Sequence, residues 1–176
     1  MLSLVKPDIK YKLQYMDMIE YWKSTGEELA PWPLREDCGD FGALVNKLEG
    51  YERGLGVGED YVPNSTYWLY ASDTDKIVGA VNIRHFLNDR LLAYWGHIGY
   101  GIRPDERKKG YATAALRMTL DICRDLDIEK ALVSCYKHNT GSARVIKNNG
   151  GVLENEVIHE GKLLQRYWIK CQGWFK

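Results

Sequence analysis

Residues 103–113 constrain the fold most, because this segment, RPDERKKGYAT, joins a predicted strand to a predicted helix. The strand covers about residues 93–103, and apolar residues at helical spacing follow over residues 112–126. Unpaired amide hydrogens and the positive end of the helix dipole converge at such a junction. The segment is therefore a predicted binding site for phosphate oxygens, and Gly110 supplies the backbone freedom that close approach requires.

An ordinary charged entry to a helix, with a glycine in the turn, is the alternative interpretation of this segment. Small Ala112 leaves room beside the backbone for a ligand. The cationic side chains of Arg107, Lys108 and Lys109 add long-range attraction for an anion. Phosphate binding by residues 103–113 is therefore a hypothesis.

The other elements follow from hydrophobic periodicity and from turn residues. Helices are predicted over residues 11–25, 40–52 and 142–148. Strands are predicted over residues 2–5, 66–71, 77–84, 131–136, 152–159 and 163–170. This order predicts an α/β (α+β) fold, with a central, mostly antiparallel, twisted sheet flanked by helices. The length of 176 residues fits one domain that spans residues 1–176.

Charge and cysteine usage narrow the classes of partner. The 24 basic and 24 acidic residues cancel, so we expect neither nucleic acid nor a membrane as a partner. The four cysteines have no spacing typical of metal ligands, so we expect reduced thiols and no metal site. The first residues lack the features of a secretory signal, and no apolar run has membrane-spanning length. These observations predict a cytoplasmic location.

Two motifs resemble those of a known family. The run Arg107-Lys-Lys-Gly110-Tyr-Ala112 matches the signature Arg/Gln-x-x-Gly-x-Gly/Ala of the GNAT superfamily of acyl-CoA-dependent N-acyltransferases. The segment from Asn139 to Gly151 looks like the family's later strand-helix-Gly block, and residues 66–170 follow the family order. The chain is most similar to a bacterial branch of predicted acetyltransferases, because residues 96–100 and 166–168 resemble its strand and its late Arg-Tyr-Trp.

The resemblance implies acetyl-CoA (coenzyme A) as cofactor, held where two adjacent strands splay apart. The pyrophosphate would bind the loop that begins at Arg107, on the amides of Lys108, Lys109, Gly110, Tyr111, Ala112 and Thr113. The pantetheine arm would pair with the backbone of Tyr100, Gly101 and Ile102. Asn139 would contact the pantetheine or the substrate, or it would cap the following helix. The Ser142 hydroxyl has the same two roles open, and we prefer capping.

The resemblance also implies direct transfer of the acetyl group, which needs a base for the ammonium and allows an acid for the thiolate. Many relatives have a tyrosine that acts as the general acid seven residues after the asparagine that corresponds to Asn139. In this chain that position is Ile146. Tyr136 or Tyr100 would then replace it. His97 is the candidate base because its ordinary pKa suits neutral pH.

Strict alternation of side chains along the strand puts His97 and Tyr100 on opposite faces. His97 can therefore act as the base only if the strand has a bulge, and the alternative is a structural role for His97. His85, Glu59 and Asp60 are weaker candidates for the base. We thus predict His97, Tyr136 and Asn139 as catalytic residues.

The acceptor is expected to be an amine of a small molecule or a peptide. In relatives the N-terminal half builds its pocket, and the candidate aromatic residues there are Trp32, Tyr61, Tyr67 and Trp68, each of which would otherwise be part of the core. The alternative function is a catalytically weak acyl-CoA-binding sensor or regulatory module, which the missing Tyr would explain. A different nucleotide-binding domain is disfavoured because the sequence has no GxGxxG and no P-loop. A homodimer is left open.

Overall fold

Seven strands form two antiparallel sheets in the computed structural model, which describes residues 1–171. The first sheet has the order β1 (Leu2–Val5), β2 (Asn64–Ala71), β3 (Lys76–Arg84) and β4 (Ile98–Ile102). In the second sheet, β7 (Lys162–Lys170) lies between β5 (Lys130–Tyr136) and β6 (Val152–His159). Each of the strand predictions outside residues 93–103 is confirmed to within two residues.

Four α-helices cover the sheets within the same residues, α1 (Lys12–Ser24), α2 (Phe41–Glu52), α3 (Tyr111–Asp125) and α4 (Thr140–Asn148). The predicted helices agree with them to within two residues. Asp40 accepts a hydrogen bond from the Ala43 amide at 2.9 Å, which explains why α2 begins where it does. α1 contacts β3 and α2 contacts β2, whereas α3 packs on β1, β3 and β4.

Apolar side chains fill the layers on both sides of the first sheet. Tyr15 and Trp22 of α1 pack with Leu44 of α2 against Trp68 of β2. On the opposite face, α3 buries its own apolar residues, including Ala115, against β2, β3 and β4. A further cluster joins α3 and α4 to the second sheet. The sheets are therefore covered by helices as the order of elements predicted.

The two sheets meet at β4 and β5 and then separate. Their only bridge among the described residues joins Gly96 to Val133, where the His97 amide donates to the Leu132 carbonyl at 2.7 Å. Gly96 has φ 65°, and a Cβ atom there would lie 2.2 Å from the Leu132 oxygen. The close approach of the two sheets therefore requires glycine at this position. This junction confirms the splayed strand pair.

The predicted strand over residues 93–103 is too long, because β4 begins only at Ile98. Residues Leu91–Trp95 form a π-helical turn instead. The Asn88 side chain accepts a hydrogen bond from the Leu91 amide at 2.9 Å and starts the turn. Gly96, with its positive φ, ends it. The apolar residues at this point satisfy helical turn geometry as readily as strand geometry, so their periodicity did not distinguish the two.

Candidate active site

A cleft of about 580 Å³ opens where β4 separates from the second sheet. Its floor is β4, and its ends are the start of α3 and the start of α4. Most of the predicted cofactor residues line it, namely Tyr100, Gly101, Ile102, Arg107, Lys108, Gly110, Tyr111, Ala112, Thr113, Asn139 and Ser142. The structure thus brings together residues that lie as far as 42 positions apart in the chain.

The loop before α3 has the geometry of an anion site. Gly110 adopts the left-handed conformation, with φ 80°, and Lys108 also has a positive φ of 64°. The first amides of a helix have no intrahelical partner. At α3 no side chain caps them either, because Gly110 occupies the N-cap position. Successive free amides in such a turn, aligned with the helix dipole, favour an anion. The loop conformation on which the phosphate hypothesis depends is therefore present, and the binding of phosphate stays a prediction.

Side chains around the loop hold its shape. Arg107 donates through Nε to the Ile102 carbonyl at 3.0 Å and through its two terminal nitrogens to Glu27 at 3.1 and 2.6 Å. Lys109 does not line the cleft, and its ammonium group donates to Glu106 at 2.6 Å. Arg107 therefore ties the loop to β4 and to the segment after α1. The cations left for long-range attraction are Lys108 and Arg144, which line the cleft.

β4 brings its backbone to the cleft through Tyr100, Gly101 and Ile102. At Gly101, a Cβ atom would lie 2.2 Å from the Ala30 oxygen, so the chain after α1 rests directly on the strand. The Tyr100 hydroxyl lies 2.7 Å from the Ser142 hydroxyl. Burial raises the pKa of Tyr100, an effect that its hydrogen bond to Ser142 partly opposes. Tyr100 therefore keeps its proton at neutral pH.

The structure separates the roles of Asn139 and Ser142. Asn139 is the N-cap of α4, where its Oδ1 accepts from the Ser142 amide at 3.0 Å. This capping bond leaves the Nδ2 group of Asn139 as a donor at the edge of the cleft. The preference for Ser142 as a cap was wrong, because its hydroxyl contacts Tyr100. The two neighbouring hydroxyls form one polar pair in the wall of the cleft.

Tyr136 does not line the cleft. Its hydroxyl lies 3.4 Å from Nδ1 of His159, and its ring stacks on His138. Burial raises the pKa of Tyr136, with smaller contributions from the carboxylates of Glu160 and Glu28. The structure therefore turns this phenol toward the β6–β7 hairpin, which disfavours it as the acid.

His97 also lies outside the cleft. Its side chain is buried, and Nδ1 accepts a hydrogen bond from the Leu132 amide at 3.0 Å. β4 keeps a regular register with β3 from Ile98 to Ile102, so no bulge turns the ring toward the cleft. Burial lowers the pKa of His97 to about 4, and the nearby Arg84 guanidinium contributes to the shift. These contacts favour a structural role over that of a base.

The buried, neutral ring of His97 predicts a loss of stability in acid. Its pKa rises from about 4 to 6.5 on unfolding, so below pH 6.5 the unfolded chain binds the extra proton. We expect this group to lower the free energy of unfolding by roughly 2 kcal/mol between about pH 7 and about pH 5. Urea unfolding of wild type and of His97→Asn measures the difference. An equal pH dependence in both proteins would contradict it.

Sequence reasoning missed several residues of the cleft. Glu27, Glu28 and Ala30 reach it from the segment after α1, and Arg144 reaches it from α4. Glu28 forms an ion pair with Arg35 at 2.6 Å. The only signal of Glu27 and Glu28 in the sequence is that two acidic residues are adjacent in the segment between α1 and α2. This signal does not place them at the cleft, because their position depends on how α1 packs over β4.

The described residues contain neither a candidate metal site nor a candidate membrane-spanning helix. Residues 1–171 hold no group of three or more histidine, cysteine or acidic side chains that could bind a metal ion. None of the helices within that range is long and apolar enough to cross a membrane.

The strand-loop-helix junction beside the splayed strand pair has the arrangement that the resemblance implied for acyl-CoA-dependent transferases. The family model described as an acetyltransferase (GNAT) domain matches residues 17–152. The chain therefore belongs to the GNAT acetyltransferase family, and it is an N-acetyltransferase that uses acetyl-CoA. A comparison with curated protein sequences gives no match.

Solved structures share the fold. The microcin C7 self-immunity acetyltransferase MccE, solved with acetyl-CoA and AMP, has 17% identity and a TM-score of 0.67, over 96% of this chain and 92% of that chain. The ribosomal-protein-S5-alanine acetyltransferase from Vibrio fischeri has 18% identity and a TM-score of 0.66, over 99% and 94%. The spermidine N-acetyltransferase SpeG from Vibrio cholerae has 13% identity and a TM-score of 0.63, over 97% and 95%. These likenesses confirm the predicted fold class.

Proposed function

We propose that this acetyltransferase moves the acetyl group directly from acetyl-CoA to an amine of a small molecule or a peptide. The observation that carries the proposal is the open first turn of α3, where Lys108 and residues 110–113 line the cleft. Their backbone amides bind the pyrophosphate, because an anion there gains both hydrogen bonds and the field of the helix. Lys108 and Arg144 strengthen the attraction from the two sides of the cleft.

The free edge of β4 orients the rest of the cofactor. β3 occupies one edge of β4, whereas within residues 1–171 the backbone on the other side bonds to the second sheet only before β4, at Gly96 and His97. Backbone groups of Tyr100 and Gly101 therefore pair with the pantetheine arm in the manner of an added strand. An amide of this edge polarises the thioester carbonyl and stabilises the negative charge that develops on its oxygen.

Two groups of the cleft handle protons in this proposal. Glu28 attracts the acceptor ammonium and takes its proton, directly or through a water molecule. The Tyr100 hydroxyl, held by Ser142, donates to the departing thiolate. A free thiol has an ordinary pKa near 8.5, so this thiolate needs only modest stabilisation. No covalent enzyme intermediate is required.

The position of Tyr100 weakens the support for the sensor interpretation. It rested on Ile146 at the position where relatives carry a tyrosine, but the Ile146 side chain is completely buried against the second sheet. The hydroxyl in the cleft comes from Tyr100 instead. The similar structures include a spermidine N-acetyltransferase and a ribosomal-protein acetyltransferase, so amines of both small molecules and proteins are candidate acceptors.

The proposed function is tested by amine-dependent release of CoA. Purified protein and acetyl-CoA are incubated with polyamines, amino acids, amino-acid amides and short peptides, and the free thiol is measured. We expect release above the rate without amine for at least one class, and a decrease of about a hundredfold in kcat/KM for Glu28→Gln. Glu49→Gln, on exposed α2 surface, is the control. Binding of acetyl-CoA without release by any amine would favour the sensor instead.

A further inference from the structure

A stripe of polar side chains crosses the first sheet on the face that α1 and α2 cover. It runs from Asn64 and Thr66 of β2 through Asn82 of β3, and it ends at Arg84 and His97. The register places Thr66 beside Asn82 and Asn64 beside Arg84, and the Arg84 amide donates to the His97 carbonyl at 2.8 Å. Asn64, Thr66 and Asn82 are at most 3% exposed. A sheet face under helices is ordinarily apolar, so this stripe needs a reason.

Internal hydrogen bonds satisfy only part of the stripe. Asn82 donates to the Asn64 side chain at 2.7 Å and to the Thr66 hydroxyl at 3.1 Å. Its Oδ1 atom is buried and has no hydrogen-bond partner among residues 1–171. A buried acceptor without a partner is costly and needs a donor such as a water molecule, so this oxygen is not itself a contact for an anion.

Arg84 is the strongest feature of the stripe. Its side chain is partly buried, burial lowers the pKa of its guanidinium to about 10, and within residues 1–171 it forms no ion pair with a carboxylate. The buried arginines Arg103 and Arg166 differ, because each pairs with carboxylates, Arg103 with Asp105 at 2.8 Å and Arg166 with Glu154 at 2.9 Å. A desolvated guanidinium without a counterion is a fork of donors suited to a planar oxyanion.

Gly99 makes room for this guanidinium. A Cβ atom at Gly99 would lie 3.2 and 3.3 Å from the two terminal nitrogens of Arg84, and 3.3 Å from Pro31. Ala30, the neighbour of Pro31, lines the cleft. Arg84 therefore adjoins the beginning of β4, whereas the pyrophosphate loop follows its end. The two cationic sites therefore lie at opposite ends of β4, and an anion at Arg84 would not be the pyrophosphate.

We propose that Arg84 is a specificity-determining residue that binds an oxyanion of the acceptor, so that the acceptor is an amine carrying a carboxylate or a phosphate group. This inference rests on the proposed function, because it assigns the acceptor side of the same site. The amine approaches the thioester beside Glu28, and the anionic group lies against Arg84 and Gly99. An uncharged amine leaves the guanidinium uncompensated and binds more weakly.

The test follows the Arg84 guanidinium directly by the ¹⁵N–¹H resonance of its Nε group, assigned with the Arg84→Lys variant. Three probes are titrated at constant ionic strength: N-acetylglycine, its neutral amide, and inorganic phosphate. We expect N-acetylglycine to shift the Arg84 Nε resonance in a saturable way. The neutral amide should bind at least about tenfold more weakly, a difference of about 1.4 kcal/mol in binding free energy. A saturable shift with phosphate alone would identify the phosphate form of the same oxyanion.

The Arg84→Gln variant separates binding from structure. Its affinity for N-acetylglycine, followed by backbone amide shifts, should fall to that of the amide, and its melting temperature should stay unchanged or rise because an uncompensated cation is removed. Acetyl-CoA affinity, measured by calorimetry, should equal that of wild type. Equal affinity of wild type for acid and amide, or no saturable shift with either anion, would overturn the inference. If the wild-type protein did not bind acetyl-CoA, that result would instead overturn the proposed function.

Discussion

Replacing Gly110 with tryptophan is expected to weaken acetyl-CoA binding at least about a hundredfold, or about 2.7 kcal/mol, in a protein that remains folded. Gly110 has φ 80°, and a Cβ atom there meets nothing within 4 Å. An indole at this position therefore projects into the open space before the first amides of α3. It would exclude the pyrophosphate from those amides and would strain the left-handed backbone.

Gly150 provides a matched control for this variant. Its φ is 83° and its Cβ position is equally open, but it follows α4 and does not line the cleft. Gly150→Trp should therefore show the backbone strain alone, and its acetyl-CoA affinity should match that of wild type. Calorimetry measures the affinities, and circular dichroism confirms the fold of each variant. Equal affinity of Gly110→Trp and Gly150→Trp would contradict the placement of the pyrophosphate.

Substituting Gly96 with alanine is expected to lower the free energy of unfolding by about 3–5 kcal/mol. The new Cβ atom would lie 2.2 Å from the Leu132 oxygen and 2.7 Å from its carbonyl carbon, and both belong to the backbone of the second sheet. Neither atom can move without opening the junction between the sheets. The positive φ of 65° adds strain. The close backbone contact and the positive φ therefore both oppose a side chain at this position.

Gly26→Ala is the control for the backbone strain at Gly96. Gly26 has φ 73°, and nothing lies within 4 Å of its Cβ position. We expect it to cost only about 1 kcal/mol, which is the price of the left-handed conformation for alanine. Urea unfolding compares the two variants with wild type. Similar losses in both would show that the contact with Leu132 is less restrictive than the geometry indicates.

The strand-loop-helix site was predictable because its signals are local. Pro104, Gly110 and the helical spacing after it all lie within a short stretch, and each acts through the backbone conformation that it permits. The same is true of the helices and most strands, whose apolar residues follow the period of the element. The splayed pair was predicted only through the resemblance, since no pattern within one strand reports where its neighbour departs.

The missed features depend on contacts between distant parts of the chain. Arg107 meets Glu27 across 80 residues, and Tyr100 meets Ser142 across 42. Sequence spacing does not encode either distance. His97 was assigned to catalysis from the ordinary pKa of histidine, but burial lowers its pKa and the Leu132 amide occupies its Nδ1. The environment of a titratable group, which decides its role, appears only once the sheets are assembled.

The central claim is that the free amides at the start of α3 hold the pyrophosphate of acetyl-CoA. The most direct measurement compares the backbone amide resonances of residues 108–113 during titration with acetyl-CoA and with S-acetylpantetheine, which lacks the pyrophosphate. We predict large shifts for Gly110, Tyr111 and Ala112 with acetyl-CoA only, and shifts at Tyr100 and Gly101 with both compounds. Binding of acetyl-CoA that leaves the amides of residues 108–113 unshifted would contradict the claim.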